Sequence, residues 1–195
     1  MMLAGIRYAI RLGLPVLNIS AVTWVDTPSL RREVARARAR GTLIVAAAGN
    51  ESLTIDRSPA WPASYPGEHV IAVGATDRRD RTATYSNWGR RSVELMAPGT
   101  DVRSTWIDGL TKVRYGTSFA TPLVSATASE LLRSAPQLGP AGLRRLLVRG
   151  VDRPRRELRR RSASGGRLSM AGSLRRLPAD RRTSPPRRLR VRRDP

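Results

Sequence analysis

The sequence predicts an α/β domain built around a parallel sheet, because a strand, a helix and a second strand follow one another near its start. Residues 16–22 (VLNISAV) are aliphatic and β-branched, as in a short buried strand. Thr27 and Pro28 are a favourable N-cap and first residue for a helix, and Gly41 ends that helix. Residues 42–48 (TLIVAAA) form a nearly continuous apolar run, typical of a strand covered on both faces. Such a unit pairs its strands in parallel through a right-handed crossover.

The elements around this unit fit the same class. Residues 4–12 predict a largely apolar helix that ends at Gly13 and Pro15. Because the chain opens in mid-helix, without a cap or a preceding strand, we expect the domain to be incomplete at its N-terminus. The later predicted elements are helices at 118–133 and 140–149 and strands at 69–75, 93–97 and 102–105.

The composition limits the classes of protein to which the chain can belong. It has 195 residues, a net charge of +21 and no cysteine, so disulfides and thiolate metal sites are excluded. No apolar run approaches the roughly 20 residues of a membrane span, so we expect no membrane partner. Arg7 and Arg11 interrupt the apolar start, which makes it a poor signal peptide.

The excess positive charge is concentrated near the end of the chain, where residues 151–195 hold sixteen arginines against four acidic residues. Lys112 is the only lysine, and this pattern favours a coding-composition bias, with a nucleic-acid partner as the alternative. Residues 176–195 lack enough apolar residues to fold. We therefore divide the chain into a domain at 1–175 and an Arg/Pro-rich disordered tail at 176–195, which contains no aromatic residue for stacking on bases.

One serine lies at a position suited to nucleophilic chemistry. Ser118 follows Gly116 and Thr117 and opens the helix predicted at 118–133, so its hydroxyl and N–H lie at the positive end of the helix dipole. Developing negative charge would be stabilised there. Serine is also a frequent helix N-cap, and Gly-Thr-Ser alone favours that structural role.

Six segments extend this motif to most of the chain. In chain order they are VLNISAV, GTLIVAAAGNES, HVIAVGATDRRDRTATYSNWG, VELMAPGTDVRST, YGTSFATPLVSATASELL and GRLSMAGSL. Together they resemble the C-terminal two-thirds of the catalytic domain of the subtilisin-like serine protease (subtilase) family, over residues 4 to about 174. The resemblance implies a doubly wound, mostly parallel sheet with helices on both faces. It also implies a serine-type endopeptidase, a hydrolase that cleaves proteins or peptides through an acyl-enzyme.

The resemblance further implies roles for individual residues. Ser118 would be the nucleophile, and Asn50 together with the Ser118 N–H would bind the tetrahedral oxyanion. Two segments would line the substrate cleft, with backbones that pair with an extended peptide. They consist of Ser20, Ala21 and Val22, where the family usually continues Ser-Leu-Gly, and of Ala47, Ala48 and Gly49.

The residues that would take the proton from Ser118 are missing. The family places its catalytic Asp and His before the oxyanion Asn, yet no histidine precedes Asn50. His69 matches no catalytic position and is interpreted as a surface or strand-edge residue, and Asp26 lacks the surroundings of the family's aspartate. We therefore expect the isolated chain to be inactive or nearly so. The partner that this implies is an N-terminal fragment supplying Asp and His.

Two alternatives to an endopeptidase stay open at this point. One is a peptide-binding pseudoprotease that keeps the cleft without the chemistry, and the other, less favoured, is a nucleic-acid-binding protein that acts through its tail. No cofactor or metal is assigned. Calcium is common in the family and Tyr65-Pro66 resembles a cation-binding segment, but backbone ligands leave little trace in a sequence. Members of the family are commonly secreted, but no signal peptide is visible in this sequence, so we leave the compartment unassigned.

Overall fold

A computed structural model describes residues 2–178; Met1 and residues 179–195, which make up most of the predicted tail, lie outside the described residues. The helices are α1 (Met2–Arg11), α2 (Pro28–Ala39), α3 (Thr117–Ser134), α4 (Pro140–Arg149) and α5 (Met170–Arg175). The strands are β1 (Val16–Ile19), β2 (Leu43–Ala47), β3 (Val70–Thr76), β4 (Leu95–Pro98), β5 (Val102–Thr105) and β6 (Thr111–Arg114). Short 3-10 helices lie at Ile107–Gly109 and Arg156–Arg160.

The first four strands form one parallel sheet in the order β1-β2-β3-β4, which confirms the predicted parallel pairing. The register pairs Ile19 with Ala46 and Ala47 with Val73. Every residue of β2 and β3 is buried, as expected for central strands with both faces covered. Within residues 2–178, β1 is an edge strand, and its Asn18 is exposed.

Helices cover both faces of the sheet, and two apolar cores result. The first core lies against α1 and α2 and includes Ile6, Leu30 and Ile44. The second lies against α3 and α4 and includes Val45 and Leu131. Ile44 and Val45 are adjacent in β2 and point to opposite cores, as the two-residue period of a strand requires. The expected doubly wound α/β fold is therefore confirmed.

Two predicted boundaries differ from the structure. The strand predicted at 16–22 ends at Ile19, because the chain then leaves the sheet and Thr23 forms an isolated bridge with Trp61. The packed part of the chain also continues past the domain boundary predicted at 175. Leu177 is only 4% exposed and packs in the second core, so the tail cannot begin before it.

His69 is buried just before β3, which corrects its interpretation as a surface residue. It is 5% exposed, and neither ring nitrogen makes a hydrogen bond of standard length and angle within residues 2–178, although the Val34 backbone lies close by. Burial is the main cause that lowers the pKa of His69 below its ordinary value, and the positive charge of Arg38 acts in the same direction. The folded chain therefore favours neutral His69.

This burial predicts a pH dependence of stability. The unfolded chain binds a proton at His69 with the ordinary pKa of about 6.5, whereas the folded chain binds it only at lower pH. Stability is thus fully present above that value and declines as the pH falls below it. We expect the free energy of unfolding to decrease from about pH 7.5 to about pH 5.5, and to decrease less in His69→Gln. Urea unfolding at each pH measures this, and parallel profiles for the two proteins would contradict it.

Candidate active site

Ser118 lies in the first turn of α3, directly after a turn that leads out of the β5–β6 hairpin. Gly116 has a φ of +139°, which L side chains rarely adopt. Its N–H donates to the Gly99 carbonyl at 2.8 Å and to the Tyr85 hydroxyl oxygen at 3.1 Å. The Tyr85 hydroxyl in turn donates to the Gly99 carbonyl at 2.5 Å. Tyr85 therefore holds the turn that places Ser118 at the positive end of α3.

Asn50 lies just after β2, and its side chain reaches the start of α3. Its Oδ1 accepts hydrogen bonds from the Thr117 N–H at 2.8 Å and from the Thr117 hydroxyl at 3.1 Å. The Thr117 hydroxyl oxygen accepts from the Gly49 N–H at 3.2 Å. Because Oδ1 is engaged, Nδ2 is the free end of the amide, and it has no acceptor within residues 2–178. The structure thus places an available amide donor beside the residue that precedes Ser118.

Ser20 joins the segment after β1 to the start of α3. The Ser118 hydroxyl donates to the Ser20 carbonyl at 3.2 Å, and the Ser20 hydroxyl donates to the Ser118 carbonyl at 2.9 Å. The Ser20 hydroxyl also accepts from Asn18 Nδ2 at 2.9 Å, while Asn18 Oδ1 accepts from the Ser125 hydroxyl at 2.9 Å. These bonds fix the position of the β1 extension along α3.

The rest of this extension presents open backbone. Ala21 is exposed and Val22 is half-buried against the first core. Within residues 2–178, the backbone N–H and carbonyl groups of Ala21 and Val22 make no hydrogen bond. The backbone of these two residues is therefore free to pair with another strand.

Residues 47–49, the other predicted cleft segment, are buried and already bonded. The Ala48 N–H donates to the Val73 carbonyl at 3.0 Å, and the Ala48 carbonyl accepts from Asn87 Nδ2 at 2.9 Å. The Gly49 carbonyl accepts from the Asn87 N–H at 3.0 Å. Gly49 has a φ of +105°, and a Cβ there would lie 2.3 Å from Asn87 Nδ2. These groups are engaged internally in this structure, and the pairing of Ala48 and Gly49 with a peptide stays a prediction.

Asn87 is a positioning residue that the sequence analysis missed. It is fully buried, and its Nδ2 also donates to the Glu51 carboxylate at 2.7 Å. Its Oδ1 accepts from the N–H groups of Glu51 at 3.0 Å and Leu53 at 2.9 Å. One buried amide therefore holds the backbone on both sides of Asn50. The only signal for it was its place in the segment TYSNWG, which has no pattern that predicts this role.

A single family accounts for nearly all of the domain, since the model of the subtilase family matches residues 1–172. The chain belongs to the subtilase family. This finding confirms the resemblance seen in the sequence. Proteinase T from Parengyodontium album is 44% identical over 107 residues, which are 55% of this chain and 35% of that protein. Subtilisin DY from Bacillus licheniformis is 36% identical over 145 residues, which are 74% of this chain and 52% of that protein.

Solved structures agree with the subtilase assignment. The patellamide maturation protease PatA has a TM-score of 0.76 at 31% identity, covering 88% of this chain and 66% of that one. The prenylagaramide maturation protease PagA has a TM-score of 0.77 at 26% identity, covering 94% of this chain and 67% of that one. Against the two curated relatives named above, this subtilase chain spans about half of their length or less.

Within residues 2–178 of this subtilase chain, no histidine or carboxylate is hydrogen-bonded to Ser118. The His69 carbonyl accepts from the Ile44 N–H at 2.7 Å, at the amino-terminal ends of β2 and β3. Ser118 lies beyond the carboxyl-terminal ends of the strands, so His69 is at the opposite end of the sheet. Asp26 is paired with Arg31, whose hydrogen bond is the main cause that lowers the pKa of the Asp26 carboxyl.

The described part of the subtilase domain contains no group of three or more His, Cys, Asp or Glu side chains placed to hold a metal ion. Tyr65, in the segment considered for a cation, donates its hydroxyl to Asp26 at 2.6 Å. Burial, together with the hydrogen bond to Asp26, raises the pKa of the Tyr65 hydroxyl. Residues 2–178 also include no helix with the length and apolar character needed to span a bilayer.

Replacing Asn87 by alanine should loosen the segment that carries Asn50. Four hydrogen bonds end at this buried carboxamide. Because an unpaired buried polar group costs about 1–3 kcal/mol, we expect Asn87→Ala to lower the free energy of unfolding by about 3 kcal/mol or more. Asn18→Ala, which removes an exposed carboxamide, should cost about 1 kcal/mol or less. Urea denaturation measures both, and equal losses would show that Asn87 does not hold the segment.

Proposed function

We propose that this chain supplies the nucleophile and the oxyanion donors of a serine endopeptidase that acts on proteins or peptides. The observation that carries the proposal is the set of bonds at the start of α3, where Thr117 links Asn50 to the turn that bears Ser118. Membership of the subtilase family supports the same reaction, since the relatives named above are proteinases.

In this proposal each group has its own step. Ser118 Oγ forms a bond to the scissile carbonyl carbon while its proton passes to a base, and the carbonyl oxygen becomes an oxyanion. Asn50 Nδ2 and the Ser118 N–H donate to that oxyanion at the positive end of α3. The tetrahedral species then breaks the C–N bond, the amine leaves with the proton, and water hydrolyses the acyl-enzyme. In subtilisin, the loss of one such side-chain donor costs about 10²–10³ in rate.

The open backbone after β1 supplies the binding step. An extended peptide would pair with the free N–H and carbonyl groups of Ala21 and Val22, next to the Ser20 carbonyl that contacts Ser118. Main-chain pairing of this kind depends little on the substrate's side chains. We therefore assign a substrate class, polypeptides in extended conformation, rather than a preferred residue.

In this proposal the base is a group outside residues 2–178. His69 is the only histidine, and it is buried at the opposite end of the sheet from Ser118. Without a base, oxyanion stabilisation and substrate binding accelerate hydrolysis only about 10³–10⁴-fold over the uncatalysed reaction in water. The isolated chain should therefore hydrolyse peptides very slowly.

Fluorophosphonate labelling of the purified full chain tests these roles. Labelling of Ser118 should be slow, and added imidazole should accelerate it about ten-fold or more by taking the proton. Ser118→Ala should abolish labelling, and Asn50→Ala should slow it at least about ten-fold. Ser129→Ala, which removes another exposed serine of α3, should leave the rate unchanged.

Two results would overturn parts of this proposal. Fast labelling without imidazole would show that the chain contains its own base. No labelling of Ser118 even with imidazole would remove its role as nucleophile.

A non-catalytic peptide binder is the second candidate, and one observation favours it. Within residues 2–178, the Ser118 hydroxyl donates to the Ser20 carbonyl, which cannot act as its base. A binder of this kind would keep its affinity for an extended peptide in Ser118→Ala. It would also resist labelling in the presence of imidazole, which distinguishes it from the proposed nucleophile.

A further inference from the structure

Four arginines near the end of the domain surround an open cavity that contains none of the proposed catalytic groups. We call Arg156, Arg159, Arg160 and Arg161 the arginine cluster; all four line a cavity of about 820 Å³ beside Trp88. Arg156, Arg159 and Arg160 are exposed. Positive charge therefore converges on one concave surface.

None of the four arginines of the cluster forms an ion pair within residues 2–178. The nearby carboxylates are engaged elsewhere. Glu157, which also lines the cavity, accepts the Thr82 N–H at 2.7 Å. Asp77 pairs with Arg81 at 2.9 Å. Like charges held together without a partner repel one another, and an added anion would relieve that repulsion.

The backbone that carries the cluster is held in place. Leu158, in the middle of the 3-10 helix, is fully buried, and the Arg161 carbonyl accepts from the Gly89 N–H at 3.0 Å. The Arg161 guanidinium lies 4.3 Å from the centre of the Trp88 ring, which leaves its N–H donors free for other partners. The surface is therefore preorganised, and binding of a ligand would cost little free energy for ordering the protein backbone.

The number and spacing of the cations indicate the chemistry of the ligand. A 3-10 helix rises about 2 Å per residue with three residues per turn, so Arg156 and Arg159 lie on one side about 6 Å apart. Each guanidinium carries about five donors in a planar fork that matches phosphate oxygens, whereas a carboxylate offers only two acceptor atoms. Several phosphates in a row would satisfy such a set better than one carboxylate.

We propose that the arginine cluster binds a chain of phosphates, as in inorganic polyphosphate or a nucleic-acid backbone. This site is independent of Ser118 and does not require the chain to be a protease. The part of the chain that carries it is separate from the tail considered in the sequence analysis, most of which lies outside the described residues.

Binding of fluorescent poly(dT) to the full chain, with inorganic polyphosphate as competitor, tests this site. The triple variant Arg156→Gln, Arg159→Gln and Arg160→Gln should raise the Kd for poly(dT) about ten-fold. Affinity should also fall less steeply with salt. The magnitude of the slope of log K against log salt should decrease by about 2, because each of the three lost phosphate contacts on a single strand contributes about 0.7. Arg161 is left in place because it packs on Trp88.

A control variant with the same loss of charge separates a site from general attraction to a chain of net charge +21. Arg32→Gln, Arg38→Gln and Arg40→Gln remove three exposed arginines in α2 or directly after it, and should change the Kd less than about two-fold. Thermal unfolding of both triple variants establishes that they remain folded. Equal losses of affinity in the two variants would overturn the proposal.

The competitors identify the source of the phosphates. Displacement of poly(dT) by inorganic polyphosphate at equal phosphate concentration would show that the phosphate chain alone is recognised. Binding of poly(dT) that polyphosphate does not displace, but that the cluster variant still loses, would assign the site to nucleic acid. Displacement by polyglutamate as strong as that by polyphosphate would overturn the preference for phosphate.

Discussion

The side chain of Thr117 connects the two halves of the candidate active site, and the geometry there depends on it. Thr117 is fully buried; its hydroxyl accepts from the Gly49 N–H and donates to Asn50, while its N–H donates to the same Asn50 oxygen. These bonds join the end of β2 to the start of α3. The distance between Asn50 and Ser118 is thereby set by buried groups, and exposed side chains in the cleft can vary without changing it.

The sheet determines which chemistry is available at each of its ends. Parallel strands bring their carboxyl-terminal ends to one edge, where Asn50, Gly99 and the turn before Ser118 meet. His69 lies at the opposite edge and cannot reach this site without unfolding β3. The chain therefore has Asn50, Thr117 and Ser118 at one edge of the sheet and buries its single histidine at the other.

The sequence predicted the elements well where local pattern determines them. The apolar run at 42–48 and the Thr27-Pro28 start of α2 correspond to β2 and α2 as observed. Ser118 and Asn50 could be singled out because each lies within a recognisable motif. The role of Asn87 could not, because its partner Glu51 is 36 positions away and no local pattern records such a bond.

Other differences have a similar cause. A strand sequence shows which side chains are apolar, but it does not show which backbone groups already have partners, so the internal bonds of Ala48 and Gly49 could not be predicted. The burial of His69 was missed because histidine is compatible with both exposed and buried positions. Leu177 was assigned to the tail because its arginine-rich neighbours outweighed a single apolar residue in the composition.

The conformation of Gly49 has a consequence for anyone who wishes to alter this site by directed evolution. Its positive φ and its contact with Asn87 leave no room for a side chain, so any library that randomises this position will consist mostly of misfolded members. Diversity is better directed to Ala21 and Val22, whose backbone groups make no hydrogen bond within residues 2–178 and which we propose pair with the substrate. The site thus has a part in which substitutions disturb the fold, at Gly49 and Asn87, and a smaller part that can be varied, at Ala21 and Val22.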